Sequence, residues 1–260
     1  MSNTPSALVP VAVLQGESLS EALVEVLSNL DVTLLGYHEI PDQTAAEQAH
    51  DQFNDQLQGK LDEYVDLFES HGGTVTPRTV FTHDAPQTFK RIAIEQAIGS
   101  ILVGNPAPAV DRILVPIRGK ANIDPIIATT AALAGDDTDI VLFHAAPSEE
   151  LRAKGQDVIS AAADQLVAAG VQTDRISQQV TVSETPLRAI SDAAANTGLV
   201  VIGEKEPSVV DIIFGDAADR IAEASASPVL VVRTNRPAEK QSDDDRSETT
   251  DQTDAESHDH

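Results

Sequence analysis

The hydrophobic pattern of this chain changes repeatedly between two periods, and each stretch predicts one strand or one helix. Short apolar runs bounded by turns are typical of buried strands in a parallel sheet, whereas apolar residues three or four positions apart predict helices with one buried face. The first half yields strands at 7–14, 31–38, 74–82 and 100–103, with helices at 18–29, 45–71 and 86–98. The second half yields strands at 112–117, 139–145, 174–182, 199–202 and 229–232, with helices at 123–134, 148–169, 186–196 and 213–224.

Strands that alternate with helices in this way predict an α/β fold. Right-handed crossovers then give a parallel sheet with helices on both faces. The helix at 45–71 carries its large apolar residues on one stripe, which we interpret as core: Phe53, Leu57, Leu61, Val65 and Phe68. Asp84 and Thr185 precede two of the helices and are candidate N-caps.

The chain also repeats itself. LVPV at 8–11 matches LVPI at 114–117, and YHEIP at 37–41 matches FHAAP at 143–147 with the same offset. LVG at 102–104 further matches VIG at 201–203. Separate matches with a common offset indicate two tandem copies of one unit. The first copy stops after LVG, so we predict a truncated domain at 1–108, a longer one at 109–235, and a disordered acidic tail at 236–260.

The stretch LVVIGEKEPSVVDIIFGDAADRIAEASASPVLVVR at 199–233 resembles the C-terminal segment of the universal stress protein (Usp) family, in its tandem, haloarchaeal form. The resemblance implies two tandem three-layer α/β sandwiches of the adenine-nucleotide-alpha-hydrolase-like type, with parallel sheets and the first one truncated. In nucleotide-binding members, a loop with the pattern G-x-x-G, nine residues, then G and Ser or Thr is implied to wrap ATP phosphates. Here Gly203 matches the first glycine, Glu206 replaces the second, and Gly215 is followed by Asp216 after a shortened loop.

The family's aspartate at the end of the first strand, which is implied to contact the base, is absent from both copies. Arg118, Gly119 and Lys120 follow this strand in the second copy, and Ala12 stands there in the first. The two cations are candidates to hold an anion, with pairing to local carboxylates as the alternative. The degenerate nucleotide-site positions are Arg118, Gly119, Gly203, Gly215 and Asp216. We therefore expect no bound cofactor, with ATP as the open alternative.

A second group of polar residues belongs to the first copy. His38 and Glu39 follow its second strand, and His83 and Asp84 follow its third. Because these strands are neighbours in the predicted topology, the four side chains are candidates to hold a small ligand or a divalent metal at one sheet edge. His144 repeats the position of His38 without the acid, which favours a packing or turn role instead. No nucleophile–base set is apparent, so we expect a protein that is not an enzyme.

Composition limits the classes of binding partner that we expect and indicates the cellular compartment. The net charge is −25, with 42 acidic against 17 basic residues, which argues against nucleic acid and anionic membranes as partners. Such acidity favours a halophilic source, with ordinary acidity as the alternative. The absence of cysteine excludes disulfides and thiolate metal sites. No signal peptide or membrane span is visible, so we expect a cytoplasmic protein without direct membrane insertion.

The function predicted from these features is a non-enzymatic, Usp-like stress-response or regulatory binding module. The family's association with transporters makes a cytosolic regulator of a membrane transporter one form of this hypothesis. The alternative is an ATP-binding or slowly hydrolysing protein that uses the loop between Gly203 and Gly215. The resemblance further implies that the last strand pairs two subunits, so we expect a homodimer through Val229–Val232 and a pseudo-dimer between the two copies of one chain.

Overall fold

The computed structural model describes residues 4–104, 109–120, 123–135, 137–203 and 227–233. The first half, up to residue 104, contains β1 (Ser6–Val11), α1 (Glu21–Leu27), β2 (Asp31–Glu39), α2 (Ala46–Ser70), β3 (Thr74–Thr82), α3 (Ala85–Glu95) and β4 (Ser100–Val103). The second half, from residue 109, contains β5 (Arg112–Pro116), α4 (Asp124–Leu133), β6 (Asp139–Ala146), α5 (Arg152–Ala168), β7 (Ile176–Val182), α6 (Pro186–Ala194), β8 (Leu199–Gly203) and β9 (Val229–Val232). The predicted helix at 213–224 and the predicted tail lie outside the described residues.

The nine described strands form one continuous sheet in the order β3-β2-β1-β4-β9-β8-β5-β6-β7. Every pairing within a half is parallel, and the one between β4 and β9 is antiparallel. Read from either outer strand inward, each half presents its third, second, first and fourth strands in that order. The prediction of a mostly parallel α/β sheet with flanking helices is confirmed. Tandem duplication as the origin of this likeness stays an interpretation of the sequence.

The predicted strands and helices agree with the structure to within a few residues. The largest differences lie where 3₁₀ turns replace the predicted element. The first strand ends at Val11 because the chain turns at Val13–Gln15, and the fifth helix begins at Arg152 because Glu149–Leu151 forms a 3₁₀ turn before it. Hydrophobic periodicity does not separate a 3₁₀ turn from the end of a neighbouring element, since both place apolar residues at similar spacing.

The core has two layers because successive residues of each strand point to opposite faces of the sheet. Val9 packs in the layer that holds α1, α2, α4 and α5, whereas Leu8 packs in the layer with α3. In the second half, Leu114 and Phe143 pack with α6 on this second face. Leu57, Leu61 and Phe68 of the predicted stripe on α2 are fully buried, as expected.

The two candidate N-caps differ. The carboxylate of Asp84 accepts a hydrogen bond of 2.9 Å from the backbone N–H of Gln87, so it caps α3. The side chain of Thr185 makes no such bond at the start of α6, and its backbone N–H instead binds the hydroxyl of Ser183 at 3.1 Å. The cap on α3 is confirmed and the cap by Thr185 is wrong.

The strand predicted to join two chains is not at an edge. Val229–Val232 pairs with β8 on one side and with Ser100–Val103 on the other, and all four of its residues are buried. Both rows of backbone hydrogen-bonding groups are therefore used inside the chain, and no edge is left for a second copy. The pairing expected between subunits joins the two halves of one chain, so a homodimer would have to use another surface.

Candidate functional site

The carboxyl ends of the strands in the second half bring a cluster of basic groups to one pocket. Arg118 follows β5, His144 lies near the end of β6, and Lys154 lies in the first turn of α5. The three residues line a pocket of about 230 Å³. In open parallel sheets, ligands bind beyond the carboxyl ends of the strands, so this pocket lies where the fold places a ligand. We refer to it below as the basic pocket.

His144 is held firmly at the floor of the basic pocket. Its Nδ1 atom lies 2.7 Å from the carbonyl oxygen of Ile117, and only 9% of the residue is exposed. Because a carbonyl oxygen can only accept, Nδ1 must carry the proton, and Nε2 is left as an acceptor in the neutral ring. Gly155 of α5 lies so close to the ring that a Cβ there would be 2.9 Å from Nε2. The glycine therefore allows the helix to pack directly onto the imidazole.

The basic pocket is suited to an anion. Arg118 and Lys154 bring two positive charges to the same place in a protein whose net charge is −25. The N-terminus of α5 adds the partial positive charge of a 17-residue helix beside them. Hydrogen bonds between such cations and a phosphate or carboxylate are stronger than neutral ones. The arrangement can hold a small anionic group.

The structure places the other predicted nucleotide-site residues differently. Gly119 lies beside Arg118 and is partly buried, whereas Gly203 ends β8 and pairs in register with Val232. Gly215 and Asp216 lie outside the described residues. Of the predicted positions that the structure describes, Arg118 alone lines the basic pocket.

The equivalent edge of the first half carries acidic groups instead. Gly16 takes a left-handed conformation with a φ of 84°, which turns the chain back after the 3₁₀ turn. The carboxylate of Glu17 then accepts a 2.6 Å hydrogen bond from the backbone N–H of Ala12 at the end of β1. Burial raises the pKa of Glu17, although the bond from Ala12 acts in the opposite direction. The side chain of Glu17 is thus hydrogen-bonded to the N–H group of Ala12, which directly follows the first strand.

The pKa of Tyr37 is also affected by the carboxylates at this edge. Burial, followed by the negative charges of Glu17 and Glu39, raises the pKa of Tyr37 to about 12. Its ring packs edge-to-face on Phe89 of α3, with centroids 4.8 Å apart. Because this edge holds carboxylates where the second half holds cations, we do not expect the two halves to bind the same ligand.

The four residues predicted to meet in the first half do not form one cluster. Glu39 accepts a 3.4 Å hydrogen bond from the N–H of Ala85, and Asp84 caps the same helix. His83 lies close by, with Nδ1 3.1 Å from the carbonyl oxygen of Ile40. His38 instead packs towards α2, because adjacent residues of a strand face opposite sides of the sheet.

His38 lies in an aromatic cluster. Its ring centroid is 5.5 Å from that of Phe53 and 6.2 Å from that of Phe81. Its buried Nδ1 has no hydrogen-bond partner in the described part of the chain. Within that part, no group of three or more histidine, aspartate or glutamate residues is placed to hold a metal ion. The metal hypothesis for His38, Glu39, His83 and Asp84 therefore has no geometric support.

Sequence reasoning did not identify Lys154, Gly155 or Glu17 as site residues. A glycine in the middle of a helical pattern was the one available signal, since glycine there is unfavourable without a packing reason. The approach of Lys154 to Arg118 depends on how α5 crosses the end of β6, and the position of Glu17 depends on the turn at Gly16. Neither follows from local pattern.

Comparison with solved structures identifies the fold. A universal stress protein from Archaeoglobus fulgidus superposes with a TM-score of 0.56 at 13% sequence identity, covering 88% of this chain and 98% of the other. The cytoplasmic domain of a prokaryotic cation chloride cotransporter superposes with a TM-score of 0.52 at 12% identity, covering 89% of this chain and 96% of the other. No protein-family model and no curated protein matches the sequence.

Both similarities extend over the two halves and so establish the architecture of the whole described sheet. At these identities they show the fold alone. None of the described helices is long and apolar enough to cross a bilayer.

Proposed function

We propose that the chain is a non-enzymatic regulatory module of the universal stress protein type, which binds one small anionic ligand in the basic pocket of its second half. The observation that carries this proposal is the convergence of the cations Arg118 and Lys154 at the carboxyl edge of β5 and β6. The similarity in fold to a universal stress protein supports the proposed family. Because the carboxylate of Glu17 occupies the N–H of Ala12 at the equivalent edge of the first half, we expect one ligand per chain.

Calorimetric titration of the purified full chain in high salt tests the anion site, with pyrophosphate as the probe. We expect saturable binding of one pyrophosphate per chain. Arg118→Ala and Lys154→Ala should each weaken it about tenfold or more, because each removes a charge-assisted hydrogen bond. Lys60→Ala is the matched control, since Lys60 lies in an exposed pair with Glu63 on the other half. Equal binding by all three variants would reject the site.

A second titration, with ATP and Mg²⁺, decides between this proposal and an ATP-binding or ATP-hydrolysing protein. We expect affinity weaker than micromolar, because Glu206 and Asp216 replace residues that the resemblance implies contact the phosphates. Micromolar binding that is lost in Gly215→Val would establish the alternative, in which the loop from Gly203 to Gly215 holds the nucleotide.

We extend the proposal to a cytoplasmic regulator of a membrane transporter. The support is that the cytoplasmic domain of a cation chloride cotransporter has the same fold over 89% of this chain. Cross-linking in intact cells of the source organism, followed by mass spectrometry, tests it. Recovery of an integral membrane transporter cross-linked to this chain is expected, and a set of exclusively soluble partners would contradict the extension.

A further inference from the structure

The basic pocket has an apolar wall in addition to its two cations. Five of the residues that line it are apolar: Ala145, Pro147, Leu151, Val158 and Pro186. Leu151, directly before α5, is a large apolar side chain with 41% of its surface exposed. Exposure of this wall to water is unfavourable, so the wall favours a ligand with an apolar part.

His144 contributes a hydrogen-bond acceptor at the floor of the pocket. Its Nδ1 atom donates to the carbonyl of Ile117, so the lone pair of Nε2 is available. No hydrogen bond to Nε2 is formed in the described part of the chain, and this atom is not among those that are both buried and unpaired. Nε2 therefore opens onto the pocket, and the missing side chain of Gly155 keeps it uncovered. Because His144 is only 9% exposed, this acceptor favours a ligand that donates a hydrogen bond.

The positive charges lie at the mouth of the pocket. Arg118 and Lys154 are exposed, whereas His144 is buried. No carboxylate of the described residues lines the pocket. An anionic group at the mouth would meet both cations and stay partly in water, which avoids the cost of burying its charge. The pocket therefore suits a ligand with its anionic group at one end and its donor at the other.

The volume of the pocket limits the size of the apolar part. The pocket measures about 230 Å³, below the range of about 300–1,000 Å³ that is typical of drug-sized ligands. An apolar cavity of about 150 Å³ already holds benzene. A single six-membered ring with a polar group at each end therefore matches the pocket.

We propose that the ligand of the basic pocket is a small hydroxy-carboxylate, with one ring or a short branched chain between its two polar groups. Its hydroxyl donates to Nε2 of His144, and its apolar part covers Leu151. Its carboxylate binds Arg118 and Lys154 at the mouth. This inference rests on the proposed anion site and names the class of ligand for it. A fully ionised phosphate offers only acceptors, so it cannot donate to Nε2.

Titration of the full chain in high salt with three compounds built on one ring tests the pairing with His144. We expect one 4-hydroxybenzoate to bind per chain. Benzoate should bind about threefold to tenfold more weakly, because it lacks the hydroxyl. Terephthalate should bind more weakly still, because its second carboxylate would face the lone pair of Nε2. In the isotope-labelled chain, the nitrogen resonance of His144 Nε2 should move with 4-hydroxybenzoate and much less with benzoate. Equal affinity for these two compounds, or tightest binding of terephthalate, would overturn the pairing.

A variant of the apolar wall separates this inference from the anion site on which it rests. Leu151→Ser should weaken 4-hydroxybenzoate about fourfold or more, with a smaller effect on pyrophosphate, which has no apolar part. Val167→Ser is the matched control, since Val167 is 42% exposed near the other end of α5, and it should change neither affinity. Equal losses for both ligands in Leu151→Ser would overturn the apolar contact. Binding of pyrophosphate without 4-hydroxybenzoate would overturn this inference and leave the anion site standing, whereas binding of neither would reject both.

Discussion

At the residue scale, the contact between Gly155 and His144 shows how one position decides whether α5 can pack on β6. The ring cannot retreat, because it is buried and bound to the carbonyl of Ile117. A methyl group at position 155 would overlap the ring. Helix propensity favours alanine over glycine, so only the tertiary contact explains the glycine.

We therefore expect Gly155→Ala to destabilise the protein by about 1–3 kcal/mol, the usual effect of overpacking a filled site. Gly59→Ala in α2 is the matched control: it lies on an exposed helical surface with nothing within 4 Å of the added methyl. It should stabilise by up to about 1 kcal/mol through propensity alone. Urea unfolding of both variants measures the difference, and equal changes would refute the contact.

Glu17 gives a prediction about pH. Because burial raises its pKa above that of the unfolded chain, the folded state holds the proton more tightly. The stability that Glu17 contributes is therefore greatest below its unfolded pKa and falls as the pH rises through the folded pKa. Denaturant unfolding between about pH 4 and about pH 7 should show a smaller decline in Glu17→Gln than in the native chain. Glu63→Gln, which changes an exposed ion pair, is the control and should show the same loss of stability with pH as the native chain. If Glu17→Gln also lost as much stability as the native chain, Glu17 would not be the source of the pH dependence.

At the scale of elements, the junction of β4 with β9 determines the arrangement of the two halves. Four residue pairs join the strands, and Arg233 extends the contact by binding the carbonyl of Ala93 in the last turn of α3 and that of Ile98 just beyond the helix. Cations are favourable at helix C-termini, where carbonyls lack intrahelical partners. One arginine at the end of the last strand thus anchors a helix of the other half.

Arg233→Ala should lower the free energy of unfolding by about 1.5–3 kcal/mol, because two hydrogen bonds from a charged group are lost and the carbonyl of Ala93 keeps only its bond from the N–H of Ile98. Lys60→Ala, which removes an exposed ion pair, should change it by less than about 1 kcal/mol. Thermal or urea unfolding measures both. If Arg233→Ala behaved like Lys60→Ala, the arginine would not hold the halves together.

At the scale of the whole molecule, charge dominates. A net charge of −25 on a chain of 260 residues opposes compaction when carboxylates are unscreened. At about 1 M salt the Debye length falls to about 3 Å, which removes most of this repulsion.

The thermal midpoint should therefore fall as salt is lowered from about 2 M to about 0.1 M. Calorimetry or circular dichroism measures it, with sucrose at matched osmolality as a control that does not screen charge. A midpoint that stays level or rises as salt is removed would contradict the prediction of a halophilic protein.

The sequence by itself determined the identity of the elements, because apolar runs and helical stripes are local. The predicted strands 74–82, 100–103 and 229–232 coincide with the observed ones. It also indicated the α/β class, and it made Arg118 a candidate to hold an anion, with pairing to local carboxylates as the alternative. It could not show that Lys154 and His144 join Arg118, since that depends on where α5 crosses the sheet.

The tertiary structure alone decided which strands Val229–Val232 pairs with and what His38 packs against. Val229–Val232 reads as a strand in any context, but its pairing with Ser100–Val103 depends on which edge is nearest after folding. Likewise His38 and Glu39 are neighbours on β2, yet the alternation of side chains along this strand directs His38 to α2 and Glu39 to α3. Local pattern specifies which face a residue takes, and only packing between distant segments specifies what it meets there.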